Sequence, residues 1–265
     1  SVYPVKTDSS GALCGTANTK YTTEAFRVPD PMPADAIIIA APGGSDQFYI
    51  PSHDPALVKR LVAFLQTREE YGAIFVDTRY GDLPGTFPAT RANLQNASGR
   101  SPDVTVSFMW DDQVEISGKR GIEYNSYPPY RGMHGSFSPV DVHNTLIAAG
   151  PDFKQGLSST LPSGNVDVAP TVASLLGLGM PDAQGRVLFE ALSRPSVEPV
   201  PTVTPMTVSA TPVTGLKFQL PTDPTGATLD SALTGEYGAE LHLKMFDDGN
   251  GKTFTYFDSA RAIRK

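Results

Sequence analysis

Two short apolar runs separated by an amphipathic segment stand out near the middle of the N-terminal half of the chain. Residues 36–41 (AIIIAA) and 73–77 (AIFVD) have the length and the continuous hydrophobicity of strands that are buried on both faces. Between them, Asp54-Pro55 is typical of a helix start, and apolar side chains then recur at spacings of three and four, at Leu57, Leu61, Phe64 and Leu65. This order predicts a β-α-β unit with parallel strands and a right-handed crossover.

Two further segments are predicted to complete the sheet. Residues 104–110 (VTVSFMW) alternate and contain β-branched and aromatic side chains, and residues 145–149 (TLIAA) form another continuous apolar run. A helix is predicted from about Val168, and residues 79–101 leave room for a small antiparallel ribbon. We therefore expect an α/β fold with a largely parallel central sheet and helices on both of its faces.

The domain organisation follows from changes in composition along the chain. Residues 1–35 are rich in Ser, Thr, Gly and Pro, which predicts an irregular N-terminal arm, and the α/β domain is expected over residues 36–194. Residues 195–212 are rich in Pro, Val and Thr and favour an extended linker. Residues 213–265 contain short alternating segments, which predict a β-rich extension.

Composition excludes several classes of protein. Lys and Arg number 21 against 28 Asp and Glu, and the net charge of −7 argues against a nucleic-acid polymer as partner. The longest apolar run, residues 36–41, is far shorter than the roughly 20 residues that a membrane helix needs. Hydrophobic residues make up 40% of the chain and charged residues 18%, a balance that argues against disorder.

The loop at residues 127–139 concentrates the side chains that could carry chemistry. Glycines flank Met133-His134 on both sides, so the backbone can turn sharply and direct the imidazole at a ligand. Taken alone, these residues also fit a hydrogen-bonding or surface histidine. Tyr130 and Arg131 precede the histidine and could contact an anionic substrate, or lie in solvent as ordinary loop residues.

Several ordered motifs give the chain a wider resemblance. They are residues 99–103 (GRSPD), 132–135 (GMHG), 144–154 (NTLIAAGPDFK), 165–171 (NVDVAPT) and 181–186 (PDAQGR). Over residues 36–194 the chain resembles the alkaline phosphatase superfamily, and within it the nucleotide pyrophosphatase and type I phosphodiesterase branch. Sulfatases and phosphoglycerate mutases share that fold but have less of this loop pattern.

The resemblance implies a metal-binding role for His134. In that family the histidine of this loop binds one of two zinc ions, which together clamp the reacting phosphoryl group. Asp141 could order the loop or orient His134 from behind. The family's Ser/Thr nucleophile, its Asp-x-x-x-His helix and its Asp-His pair have no counterpart here, since His53-Asp54 has the reverse order and Asp141-x-His143 is too closely spaced. No catalytic residue is therefore identified in this chain.

The functional expectation is the C-terminal part of a metal-dependent phosphoric ester hydrolase, secreted or periplasmic, acting on a small phosphate ester or nucleotide. Its partner would be the upstream N-terminal portion of the same domain, which would supply the nucleophile and complete the two-zinc site. The isolated chain is then expected to be inactive. The alternative is a non-catalytic binding or assembly module that keeps the fold without a complete site.

Two other polar features are interpreted as structural. His143 is expected to hydrogen-bond a carbonyl group rather than a metal ion. Residues 247–251 (DDGNG) lack the regular acidic positions and the closing Glu of a calcium loop, so a hairpin turn is predicted.

Overall fold

A computed structural model describes residues 3–7, 23–27, 31–96, 98–126, 134–193, 200–219 and 234–265. The chain folds into two compact units. The first contains residues 1–136, 210–239 and 262–265, and the second contains residues 137–209 and 240–261. This division differs from the predicted linear one, because the C-terminal segment contributes to both units.

The first unit is built on a five-stranded sheet. Its strands are β3 (Ile38–Ala40), β4 (Ser45–Tyr49), β5 (Tyr71–Val76), β6 (Thr86–Pro88) and β7 (Val104–Phe108), in the spatial order β3-β4-β7-β5-β6. Only β5 and β6 pair in parallel, and the other three pairs are antiparallel. Two antiparallel ribbons accompany the sheet, one formed by β1 (Tyr3–Thr7) and β2 (Thr23–Arg27), the other by β8 (Trp110–Ile116) and β9 (Lys119–Glu123).

Helix α1 (Pro55–Gln66) lies where the sequence predicts a helix. The Asp54 carboxylate accepts a hydrogen bond of 2.9 Å from the Ala56 amide, and Pro55 occupies the first helical position. The first amides of a helix have no partner within the helix. Here the Ala56 amide is satisfied by Asp54, and Pro55 has no amide hydrogen that would need a partner. The apolar face of the helix is buried through Leu57, Val58, Leu61, Val62 and Leu65.

The prediction of a largely parallel sheet with helices on both faces is wrong. The structure is strand-rich, with 34% strand and 18% helix, and its sheets are mainly antiparallel. A tight turn after β3 returns the chain along β4, so the strand that enters α1 is β4 and not the 36–41 run. Strands β4 and β5 do run in the same direction on either side of α1, but β7 is inserted antiparallel between them, which makes a split β-α-β unit.

Two other segments differ from their predicted structures. Residues 145–149 form no strand, and Ile147 is 84% exposed. A continuous apolar run becomes a buried strand only if neighbouring strands pair with it, and no described strand does so. Within the predicted linker, residues Thr202–Ser209 form strand β10.

The second unit contains strand β10, helices α2 (Pro139–Val142) and α3 (Val168–Leu175), and most of β11 (Tyr237–Asp247) and β12 (Thr253–Arg264). Strand β10 pairs antiparallel with β11, and β12 is the other neighbour of β11. Residues 247–251 connect β11 to β12, which confirms the predicted hairpin turn. An aromatic cluster of Phe246, Phe254 and Tyr256 forms the core here, with Leu161 packed against it. Among the described residues, no helix is long and apolar enough to cross a membrane.

Candidate functional site

His134 lies in the first unit with its side chain exposed, and its backbone is held beside the turn between β3 and β4. The Gly44 amide donates a hydrogen bond of 3.0 Å to the His134 carbonyl oxygen. At Gly44 an added Cβ would lie 2.5 Å from Ser136 Cβ, and Gly135 has a φ of +84°. Glycine is therefore required at both positions, at Gly44 because there is no room for a Cβ and at Gly135 because of its positive φ. The result is an exposed imidazole on a tethered backbone.

Of the other three residues predicted for this site, only Asp141 is among the residues that the structure describes. Tyr130 and Arg131 lie outside the described residues. Asp141 is in α2, where its amide donates to Ser138 Oγ over 3.4 Å, and it belongs to the second unit. Of the four predicted site residues, His134 is therefore the one that the structure describes in the first unit, where it is exposed.

The zinc ions that the resemblance implies require more ligands than this part of the chain assembles. A zinc ion takes three or four protein ligands. Within the described ranges, no group of three or more His, Cys, Asp or Glu side chains could hold a metal ion. The described residues therefore do not fit a two-zinc site, and His134 is at most a single ligand of one.

His143 has a structural partner in the second unit, a carboxylate rather than the expected carbonyl. Its Nε2 lies 2.7 Å from Asp258 Oδ1, and Lys244 Nζ lies 2.6 Å from the same oxygen. Burial acts to raise the pKa of Asp258, but hydrogen bonds from Lys244 and His143 outweigh it and leave this pKa below its ordinary value. The arrangement is an ion-pair network at a strand surface.

A second group of polar residues, which the sequence pattern missed, lies at the other end of the strands of the five-stranded sheet from His134. We call Asp77, Asp103, His53, Arg79 and Tyr80 the Asp77 cluster. Asp77 directly follows β5 and Asp103 directly precedes β7, and the Asp77 amide donates to the Asp103 carbonyl at 3.0 Å. The two residues are only 1% and 2% exposed, so their carboxylates need partners within the protein.

Asp77 is satisfied by Arg79, in the short 3₁₀ turn that follows it, and by Gln95. Its carboxylate accepts hydrogen bonds of 2.9 Å from the Arg79 amide, 2.9 Å from the Arg79 guanidinium and 3.1 Å from Gln95 Nε2. Burial acts to raise the pKa of Asp77, but the two hydrogen bonds from Arg79 and its positive charge outweigh it, so the pKa lies below its ordinary value.

Asp103 binds two different segments, the connection between β4 and α1 and the 3₁₀ turn after β5. It accepts hydrogen bonds from the Ile50 amide at 2.6 Å and from the Tyr80 hydroxyl, and it lies 2.9 Å from His53 Nδ1. Burial, together with the hydrogen bond to Asp103, raises the pKa of Tyr80 above its ordinary value. His53 is about half exposed and has a φ of +49°, a strained conformation for a non-glycine residue.

A buried carboxylate that orients a half-exposed histidine is also the geometry of a general base. Here Arg79 Nη1 lies 3.1 and 3.3 Å from the two ring nitrogens of His53, so the ring is covered by the guanidinium. No hydroxyl of a Ser or Thr residue in the described part of the chain is hydrogen-bonded to this ring. The geometry fits a structural role better than a catalytic one: the hydrogen bonds hold together the loops at this end of the strands.

Comparison of the chain with protein-family models, with curated proteins and with solved structures finds no match.

Proposed function

We propose that this chain is the C-terminal part of a metal-dependent phosphoric ester hydrolase, related to phosphodiesterases and nucleotide pyrophosphatases, and that His134 is one ligand of its metal site. The nucleophile and the other ligands would come from the upstream portion of the same domain. Zinc is the expected metal, and a small phosphate ester or nucleotide is the expected substrate.

The observation that carries the proposal is the exposed His134 on its tethered backbone. A histidine that only packs would bury its ring, whereas this one keeps the imidazole in solvent while its carbonyl is bonded to Gly44. A neutral imidazole is a good zinc ligand, and fixing its backbone in advance reduces the entropy lost on binding. The same loop carries the Gly-x-His-Gly pattern on which the resemblance depends.

Exposed apolar surface in the second unit supports a further polypeptide segment as partner. Val168 and Val172 on α3, and Leu176 directly after it, are spaced four residues apart and are all exposed. Leu146 and Ile147 are exposed as well. Exposed apolar side chains at the spacing of one helix face are typical of an interface, and we propose that the upstream portion of the domain covers them.

Turnover of bis(p-nitrophenyl) phosphate in the presence of zinc tests this proposal. We expect no turnover above the blank for the 265-residue chain, because one histidine cannot hold a catalytic ion. The full product of the encoding gene should be active, and His134→Ala should reduce its turnover by about 10²-fold or more. His143→Ala is the matched control, since His143 is paired with Asp258. Equal activity of the His134→Ala variant and the unmodified product would refute the proposal.

A non-catalytic binding module remains the second candidate function, and one observation favours it. The second unit contains a cavity of about 420 Å³ whose lining includes Phe189, Phe246 and Phe254. An inactive full gene product that binds a small molecule in this cavity would support the second candidate over the first.

A further inference from the structure

The hairpin turn between β11 and β12 contains an Asn-Gly pair whose two residues can react with each other. Asn250 is the one asparagine of the 265-residue sequence that is followed by glycine, Gly251. Both residues of the pair are exposed. In an Asn-X sequence, the backbone nitrogen of X can attack the side-chain carbonyl carbon of the asparagine, because the product is an unstrained five-membered ring. A Cβ on residue X hinders this attack, and glycine has none.

The attacking atom, the Gly251 backbone nitrogen, is not tied down within the turn. The neighbouring amides of Gly249, Asn250 and Lys252 all donate to aspartate side chains. In the part of the chain that the structure describes, no group accepts a hydrogen bond from the Gly251 amide. An added Cβ at Gly251 would meet nothing within 4 Å, so water can reach this side of the turn.

The reaction releases ammonia and consumes one water molecule. The Gly251 nitrogen loses its proton to water or hydroxide and bonds to Cγ of Asn250, while Nδ2 takes up a proton and leaves as ammonia. Water then opens the resulting succinimide ring at one of its two carbonyl carbons. Opening at Cγ gives aspartate, whereas opening at the backbone carbonyl gives isoaspartate, in which the chain continues through the side chain. Nothing is oxidised or reduced.

The isoaspartate alters the turn because it adds one backbone carbon between residues 250 and 251. Lys252 is bonded to Asp248 across this link. The Lys252 amide donates to Asp248 Oδ1 at 3.0 Å, and the Asp248 amide donates to the Lys252 carbonyl oxygen at 3.1 Å. The Asn250 amide donates to the same Oδ1 at 2.8 Å, but it precedes the link. The two hydrogen bonds that close the turn are therefore the ones that the longer backbone disrupts.

From this geometry we infer that Asn250-Gly251 is a self-modification site, at which deamidation through a succinimide produces an isoaspartyl form with an opened β11–β12 turn. Both products also add a carboxylate to the turn. Residues 247–252 contain two aspartates and one lysine, so their net charge changes from −1 to −2. This inference does not depend on the proposed hydrolase activity.

Incubation of the 265-residue chain at pH 7.4 and 37 °C tests the site, with peptide mass spectrometry to detect the conversion of amide to acid. Asn144 and Asn165 are internal controls, since both are exposed residues of the second unit. They are followed by Thr145 and Val166, whose Cβ atoms are branched. Deamidation at Asn250 should be on the order of tenfold or more faster than at either control, because only its successor lacks a Cβ.

Two variants separate the change in the backbone from the change in charge. Asn250→Ser has no side-chain amide and should abolish the modification. Freshly purified Asn250→Asp carries the new charge on an unaltered backbone. The isoaspartyl form, isolated by chromatography, should exchange its Lys252 amide hydrogen about fivefold or more faster than Asn250→Asp does, measured by NMR, because a closing hydrogen bond is lost.

Three results would overturn the inference. The first is deamidation at Asn250 that is no faster than at Asn144 and Asn165, which would mean that the turn prevents the attack. The second is a product that contains aspartate without isoaspartate. The third is equal exchange of the Lys252 amide in the isoaspartyl form and in Asn250→Asp, which would mean that the turn stays closed.

Discussion

At the scale of single residues, Asp77 is a position in the first unit where a substitution should cost stability. Its carboxylate is almost fully buried and accepts three hydrogen bonds. Asp77→Asn should reduce the free energy of unfolding by about 1–3 kcal/mol, because the charged acceptor is lost while its buried donors remain. Urea denaturation at pH 7 measures this change. Asp82→Asn, an exposed aspartate five positions further along the chain, is the control and should have almost no effect.

The same carboxylate makes stability depend on pH in a defined direction. The pKa of Asp77 is lower in the folded chain than in the unfolded chain, so its contribution is complete above the unfolded pKa of about 3.9. The contribution is lost as the pH falls through the lower folded pKa. The difference in unfolding free energy between the unmodified chain and Asp77→Asn should therefore shrink from pH 7 towards pH 2. A difference that grows on acidification would contradict this assignment.

Gly44 controls the position of His134. Gly44→Ala would place a methyl group 2.5 Å from both Ser136 Cβ and the Ser136 amide nitrogen, so the loop or the turn has to move. We expect a loss of about 1–3 kcal/mol of unfolding free energy and shifted NMR signals of the His134 ring. Gly179→Ala is the control, because a Cβ there meets nothing within 4 Å and the glycine has no positive φ. Unchanged His134 signals in Gly44→Ala would show that this contact does not position the ring.

At the scale of elements, the central position of β7 distinguishes the observed sheet from the predicted one. Strand β7 is paired on both sides and buried along its whole length, whereas β3 is an edge strand. Native-state hydrogen exchange should therefore be slowest at the amides of Val104–Phe108 and much faster at Ile38–Ala40. Equally slow exchange in both strands would contradict this topology.

Local patterns predicted several elements but not their arrangement. The helix cap at Asp54-Pro55, the buried strands β5 and β7 and the hairpin turn at residues 247–251 could be predicted, because each depends on neighbouring residues. The order and direction of the strands depend on distant pairing. The short β4 segment displaced the 36–41 run as the strand that enters α1.

The wrong topology also concealed the Asp77 cluster. Asp77 directly follows one strand and Asp103 directly precedes another. If the two strands were parallel, these residues would lie at opposite ends of the sheet. Because β5 and β7 are in fact antiparallel, the same two positions meet. His134, by contrast, could be selected from the sequence through its flanking glycines, although its tether to Gly44 could not.

At the scale of the whole molecule, the two units carry different chemistry. The first unit carries His134 at one end of its sheet strands and the Asp77 cluster at the other end. The second unit exposes the apolar side chains of Val168, Val172 and Leu176 on and directly after α3. Under the proposed function, the first unit contributes a ligand to a shared metal site and the second provides a surface for an additional segment.

Metal content is the measurement that tests the central claim most directly. The full gene product would be purified, dialysed against zinc and analysed by mass spectrometry for zinc bound per chain, alongside its His134→Ala and His143→Ala variants. The proposal predicts stoichiometric zinc in the unmodified product, a clear loss in His134→Ala and no loss in His143→Ala. Zinc content that is the same in His134→Ala as in the unmodified product would contradict the assignment of His134 as a ligand.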